Sequence, residues 1–143
     1  MAVKVSVKIS SMHDEVTTSA LANAGFEAEE VEVILPVRVA ERLHLYPTLP
    51  SGARVERYVG IGGVSVNVFR ISNIVKISVI SEDREVGPVE GTVVITPGED
   101  EVILSDKAID QLKIDLVKPG EGLWRFTDDP QEKIRKSVSV ERW

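Results

Sequence analysis

Residues 16–36 read VTTSALANAGFEAEEVEVILP, and several local patterns follow one another in this stretch. Val16 to Leu21 predicts a strand that delivers the chain to a turn at Asn23-Ala24-Gly25. An acidic stretch follows and leads into the aliphatic run Val33-Ile34-Leu35. Pro36 comes next, and its fixed φ suits the first turn of a helix. We therefore expect a strand, a tight turn, a second aliphatic strand and a short helix.

The segment before this stretch predicts a first strand. Lysine and serine alternate with aliphatic residues there, which is the period-2 pattern of a half-buried strand. A turn at Ser10 to Asp14 then brings Val16 to Leu21 back beside it. The aliphatic positions of the first strand are Val3, Val5, Val7 and Ile9.

The segment after Pro36 predicts a helix and then a series of strands. Val37, Ala40 and Leu43 recur at helical spacing, with charged residues opposite. The prolines and glycine of Tyr46 to Gly52 end the helix. Several β-rich runs follow at the spacing of a sandwich or barrel, separated by Gly60-Ile61-Gly62-Gly63, by Ser72-Asn73 and by Glu82 to Pro88. These runs are 53–59, 64–71, 75–81 and 91–96.

The last third of the chain predicts one more strand, a helix and a hairpin. Val102 to Leu104 is a short apolar strand, and Ser105 or Asp106 can cap a helix from Lys107 to Leu112. Asp115 to Lys118 and Gly122 to Phe126 form a hairpin closed at Pro119-Gly120. Asp129-Pro130 begins a final helix with little apolar face. We expect one domain over 1–127 and a mobile tail or dimer arm over 128–143.

Composition excludes several classes of function. The 143 residues carry a formal net charge of −6, with the basic residues scattered, which disfavours binding to nucleic acid. The chain has no cysteine, which excludes disulfides and zinc-thiolate sites. We expect no membrane span and no signal peptide, because no apolar run is long enough. These features predict a soluble, cytoplasmic protein, and the scarcity of Asn, Gln and Met is typical of thermophile proteins.

Taken in order, these segments resemble one lobe of the retroviral-type aspartic protease family, over roughly Val3 to Phe126. Members carry Asp-Thr/Ser-Gly-Ala, an aliphatic-Pro-helix segment ending in Leu-Gly-Leu, and later an aliphatic-Leu-Gly-Arg-Asp segment that supports the active loop. The corresponding segments here are Leu21–Phe26, Val33–Pro36, Ala40–Leu45 and Ile103–Ile109, with Gly122–Phe126 resembling the closing strand.

The resemblance implies an all-β closed acid-protease-like barrel with two short helices, and a homodimer, since one lobe is half an enzyme. The catalytic motif is degenerate to Asn23-Ala24-Gly25, and an amide cannot act as the general base. Gly60, Ile61, Gly62 and Gly63 lie where the family has its flap, and Ser105 and Asp106 lie where it has its loop support. The resemblance therefore implies a module that has lost catalysis and binds an extended peptide or protein, without a cofactor or metal.

Other interpretations of these residues stay open or are disfavoured. Gly60 to Gly63 is either a flap or a plain hairpin turn, and a strand follows it where a phosphate-binding loop needs a helix. His13 and His44 lack zinc-site spacing. Four acidic residues predict a solvated edge more strongly than a cation site. They are Glu27, Glu29, Glu30 and Glu32.

Two other functions remain as alternatives. One is an active peptidase in which Asp106 or Asp14 replaces the lost carboxylate. The other is a DNA-binding regulator, because residues 34–43 also resemble the aliphatic-Pro-helix segment of swapped-hairpin transcription factors. Such proteins are short, basic and dimeric, whereas this chain is acidic.

Overall fold

The computed structural model describes residues 2–59 and 61–143, and strands dominate it. Two short helices lie among them, α1 (Val37–Arg42) and α2 (Asp106–Gln111), with 3-10 turns at Ile61–Gly63 and Pro119–Glu121. The strands are β1 (Lys4–Ser10), β2 (Glu15–Ala22), β3 (Glu32–Leu35), β4 (Arg54–Val59), β5 (Ser65–Ile80), β6 (Glu85–Ile95), β7 (Val102–Leu104), β8 (Ile114–Lys118), β9 (Leu123–Phe126) and β10 (Arg135–Lys136).

Six of the strands close into a barrel. The large sheet has the order β1-β2-β7-β3-β6-β5-β4, and a further pairing of β1 with β5 joins its two sides. Strand β4 lies outside this ring and, within the described residues, pairs with β5 alone. The predicted all-β closed barrel with two short helices is confirmed.

The core lies inside the barrel and follows the period-2 pattern of the strands. Val5, Val7 and Ile9 of β1 are almost fully buried, as predicted, and each contributes about 1.5–3 kcal/mol relative to an exposed side chain. The helices cover the ends of this core with small and branched side chains. Ala40 and Leu43 do so from α1 and the residue after it, and Ala108, Ile109 and Leu112 do so from α2 and its C-cap.

Strands β5 and β6 are longer than predicted. The expected break at Ser72-Asn73 lies inside β5, where the register against β6 shifts between Ile71 and Val75. Asn73 adopts a positive φ of 49°, and its N–H donates to Thr92 Oγ1, so a bulge replaces the turn. The loop expected over 82–88 is also wrong in part, because β6 already begins at Glu85. A second register shift keeps this part of β6 paired with β5.

The C-terminal segment lies against the barrel of its own chain. Strand β10 joins β9 and β8 in a three-stranded sheet, which includes the predicted hairpin. Beyond it, Val138 N–H donates to Lys4 O at 3.0 Å, and Trp143 Nε1 donates to Thr18 Oγ1 at 3.0 Å. To act as a dimer arm, this segment would have to break these contacts and pair with a second copy. The dimer arm therefore stays a prediction.

The helix predicted to begin at Asp129 is wrong, because the Asp129 carboxylate has other partners. It accepts from Phe126 N–H at 2.9 Å and pairs with Arg135 Nε at 2.9 Å and with Arg84 at 3.2 Å. The two guanidinium groups also lie 4.6 and 4.8 Å from the Phe126 ring centre. Asp129 therefore ties the C-terminal segment to the β5–β6 hairpin instead of capping a helix.

Neither helix in the described ranges has the length and apolar character needed to cross a membrane.

The Asp129 cluster predicts a pH-dependent contribution to stability. The hydrogen bond from Arg135 is the main cause that lowers the pKa of Asp129 to about 2, and the side chain is nearly buried. Because this pKa is below the unfolded value of about 3.9, the stabilisation is complete above pH ~4 and is lost as the pH falls toward 2. Asp129→Asn should lower the free energy of unfolding by about 2 kcal/mol or more at neutral pH.

Urea unfolding at neutral and acidic pH tests this expectation, with Asp110→Asn as the control. Asp110 is exposed and has no ion-pair partner among the described residues. The difference between wild type and Asp129→Asn should shrink as the pH falls, whereas Asp110→Asn should follow wild type. A difference that is constant with pH would contradict the assignment.

Candidate functional site

The candidate site is the loop that leaves the carboxyl end of β2. Strand β2 pairs in parallel with β7, with Ala22 opposite Leu104, so both strands end at the same edge of the sheet. Asn23 N–H donates to Leu104 O at 3.4 Å and extends this pairing by one residue. The loop that begins at Asn23 and the start of α2 therefore meet, although more than 80 residues separate them in sequence.

The loop opens with a turn built on the Asn23 side chain. Asn23 Oδ1 accepts from Gly25 N–H at 3.0 Å, and Asn23 O accepts from Phe26 N–H at 3.0 Å. A Cβ on residue 25 would lie 3.2 Å from Asn23 Oδ1, which is closer than ordinary packing and favours glycine. Asn23, Ala24 and Gly25 are all exposed in the single chain.

Asp106 holds the same loop from the α2 side. Its backbone N–H donates to Phe26 O at 2.9 Å, and its Oδ1 accepts from Ala28 N–H at 3.0 Å. The structure thus brings Asn23-Ala24-Gly25 and Asp106 together, as the resemblance implied. The geometry is that of a support for the loop, because the carboxylate also accepts from Lys107 N–H at 2.7 Å.

Ser105 fixes the position of α2 relative to β3. Its fully buried hydroxyl accepts from Ala108 N–H at 3.2 Å, which is the N-cap bond of α2, and from Glu32 N–H at 3.0 Å. Ser105 N–H in turn donates to Glu32 O at 3.0 Å. Serine at this position, where the family has glycine, therefore supplies two backbone hydrogen bonds that a glycine cannot accept.

The hairpin of β4 and β5 corresponds to the predicted flap region. Gly60 lies outside the described residues, and Ile61 to Gly63 form a 3-10 turn in which Gly62 and Gly63 have φ of 84° and 77°. These left-handed values explain the two glycines. The hairpin exposes a group of apolar side chains to solvent, namely Val55, Tyr58, Val59 and Val64.

The predicted solvated edge holds for Glu27 and Glu29, which are exposed, but is wrong for Glu32, the first residue of β3. Glu32 is buried, and its carboxylate accepts hydrogen bonds from both terminal nitrogens of Arg70 on β5. Glu30 accepts from Arg70 at 3.2 Å and from Thr92 Oγ1 at 2.9 Å. The hydrogen bond to Glu32 is the main reason that the pKa of Arg70 is raised.

This ion pair was missed because its partners are 38 residues apart and no local pattern marks it. The buried position of Glu32 still had a weak signal, since it precedes Val33-Ile34-Leu35 directly. Glu32 connects two parts of the site. Its backbone is bonded to Ser105, and its carboxylate is bonded to the strand that carries the hairpin.

The two histidines and Asp14 form a separate group at the opposite end of β2. The rings of His13 and His44 meet edge to face at 6.3 Å, and His44 Nδ1 lies 3.9 Å from Asp14 Oδ2. The eight residues of β2 lie between Asp14 and Asn23, a separation of roughly 30 Å in an extended strand. Within the described ranges, no cluster of three or more His, Asp or Glu residues has the geometry to hold a metal ion.

Comparison with known proteins gives a likeness of fold. No protein-family model and no curated protein matches the sequence. Among solved structures, the chain is similar to the retroviral protease-like domain of Ddi1 from Leishmania major, with a TM-score of 0.51 and 15% identity over 90% of this chain and 92% of that domain. At this identity the likeness establishes the fold alone: the chain has a retroviral-protease-like fold.

Proposed function

We propose that this chain is an aspartic-protease-like domain that has lost catalysis and acts, as a homodimer, by binding an extended peptide or protein beneath the β4–β5 hairpin. The observation that carries the proposal is the amide of Asn23 at the carboxyl end of β2, in a loop held by Asp106. The fold indicates where a catalytic carboxyl group would lie, and the amide of Asn23 cannot do the work of that group.

Loss of catalysis follows from the chemistry of an amide. In aspartic proteases, two carboxyl groups share one proton, and the pair activates a water molecule. Asn23 neither takes up nor releases a proton near neutral pH, so it cannot serve as the general base. Ala24 also lacks the hydroxyl that Thr or Ser would provide beside it. Two copies of this loop would present two neutral amides.

A homodimer is supported by the exposure of the loop. Asn23, Ala24 and Gly25 are all accessible in the single chain, although the loop is firmly bonded to α2. In the resembled family, a second lobe faces this loop and completes the cleft. A loop that contacts a second copy in a dimer would be exposed in the single chain, as this loop is.

Peptide binding is supported by the hairpin. Strand β4 pairs with β5 alone in the described part of the chain, which leaves backbone groups on its other edge. An extended peptide can add to such an edge through main-chain hydrogen bonds. The exposed side chains of Val55 and Val59 would give this ligand apolar contacts.

The alternatives have weaker support. Asp106 already accepts two backbone N–H groups, and Asp14 lies at the far end of β2, so neither carboxylate replaces the missing group at Asn23 within one chain. The DNA-binding alternative requires a swapped-hairpin fold. Here residues 34–43 form the end of β3 and α1 of a closed barrel, and the net charge is −6.

Restoring the carboxylate tests the loss of catalysis. Asn23→Asp should produce peptidase activity with an acidic optimum, because a positioned general base contributes about 10²- to 10⁴-fold. Natural protein, Asn23→Asp and Asn73→Asp are compared in a peptidase assay from acidic to neutral pH, with light scattering to establish the dimer. Asn73→Asp adds the same charge at an exposed residue of β5 and should remain inactive.

Cleavage by the natural protein at the rate of the variant would contradict the loss of catalysis. Absence of cleavage by a dimeric Asn23→Asp protein would contradict the placement of Asn23 in a protease-like cleft.

The exposed apolar side chains of the β4–β5 hairpin predict that a polar substitution there weakens peptide binding. Val59 is 70% exposed, so Val59→Ser should leave stability within about 0.5 kcal/mol of wild type. It should weaken binding of a fluorescent, end-blocked apolar peptide, measured by anisotropy, by about tenfold, or ~1.4 kcal/mol. Met12→Ser is the control, because Met12 is 87% exposed in the β1–β2 turn. Equal affinities for both variants would contradict binding at the hairpin.

A further inference from the structure

The chain has three asparagines, and Asn23 differs from the other two in the residue that comes after it. Ala24 comes after Asn23, whereas β-branched residues come after the others, Val68 after Asn67 and Ile74 after Asn73. A branched Cβ crowds the adjacent backbone and side chain. Asn67 is paired with Arg57 inside β5, and Asn73 N–H donates to Thr92 Oγ1 at the bulge, while Asn23 lies in an exposed turn.

The turn at Asn23 places one hydrogen-bond donor where cyclisation of this asparagine would use it. Attack of the Ala24 nitrogen on Asn23 Cγ would put negative charge on Asn23 Oδ1. Gly25 N–H already donates to this oxygen at 3.0 Å, in the manner of an oxyanion-hole donor. Ala24 N–H has no hydrogen-bond acceptor among the described residues, so no existing bond holds its nitrogen away from the side chain.

We propose that Asn23 is a deamidation site and that its conversion supplies the carboxylate that the sequence lacks. The Ala24 nitrogen loses its proton and forms a bond to Asn23 Cγ. The bond between Cγ and Nδ2 breaks, and nitrogen leaves as ammonia with the proton. Water then opens the cyclic imide by breaking one of its two C–N bonds, which gives aspartate or isoaspartate. The net change consumes one water and releases one ammonia.

The consequence for the site depends on which bond opens. Opening toward the normal backbone leaves the loop unchanged and places an ionisable carboxylate at position 23. Opening toward isoaspartate lengthens the main chain by one carbon and disturbs the bond from Phe26 N–H to Asn23 O. The gain of activity rests on the proposed function, because a carboxylate here matters only if Asn23 faces a protease-like cleft.

Peptide mapping by mass spectrometry tests the modification itself. The full-length protein is incubated in warm, mildly alkaline buffer, and the mass gain from replacing NH₂ by OH is followed at each asparagine. Position 23 should convert faster than positions 67 and 73, by about tenfold or more, and Ala24→Val should slow it by a similar factor. Acidic peptidase activity should rise with the aspartate fraction and stay absent in incubated Asn23→Gln.

Equal rates at the three asparagines, or no effect of Ala24→Val, would overturn the proposal. The rate of modification is measured independently of peptidase activity. Failure of the modification and failure of the proposed function can therefore be distinguished. If position 23 converts first but Asn23→Asp is inactive, the modification site stands and the proposed function fails.

Discussion

The parallel pairing of β2 with β7 is the constraint on which the site depends. Parallel neighbours end at the same edge of a sheet, so the loop after Ala22 and the helix after Leu104 must meet. Ser105 and Asp106 then convert this proximity into defined geometry with hydrogen bonds to Glu32, Phe26 and Ala28. The buried Ser105 hydroxyl accepts hydrogen bonds from two backbone N–H groups. Its removal is costly, because each N–H left without a partner costs about 1–3 kcal/mol.

The ion pair of Glu32 and Arg70 also connects two parts of the site. Desolvation offsets much of the attraction in such a pair, so its main effect is not net stability. Removing Arg70, however, would leave the buried Glu32 carboxylate uncompensated and cost about 3–5 kcal/mol. The pair therefore fixes β5, and with it the hairpin, in a defined position relative to the segment after Asn23.

Much of the fold could be predicted from local patterns. Alternation marked β1, helical spacing after Pro36 marked α1, and Ser105 marked the start of α2, because these signals lie within a few residues. The continuity of β5 and the extended C-terminal segment could not be predicted in this way. Thr92 stabilises the bulge at Asn73, and Arg84 and Arg135 occupy the Asp129 carboxylate, and these partners are distant in sequence.

The site was predicted unevenly for the same reason. The resemblance placed Asn23, Ala24 and Gly25 at a strand end and Ser105 and Asp106 beside them, and the structure brings these residues together. The role of Glu32 was predicted wrongly, because an acidic residue among other acidic residues indicates solvent exposure by default, and its place directly before Val33 was only a weak signal of burial. Only a three-dimensional neighbour, Arg70, makes burial of its carboxylate possible.

We propose that two copies of the Asn23 loop form the floor of one peptide-binding cleft. A crystal structure of the purified protein with an end-blocked apolar peptide would show this arrangement or exclude it. We expect a two-fold dimer in which the Asn23 side chains of both copies face each other across the axis, with the peptide held under the β4–β5 hairpins. A monomer, or a dimer that leaves the two Asn23 loops on opposite sides, would contradict it.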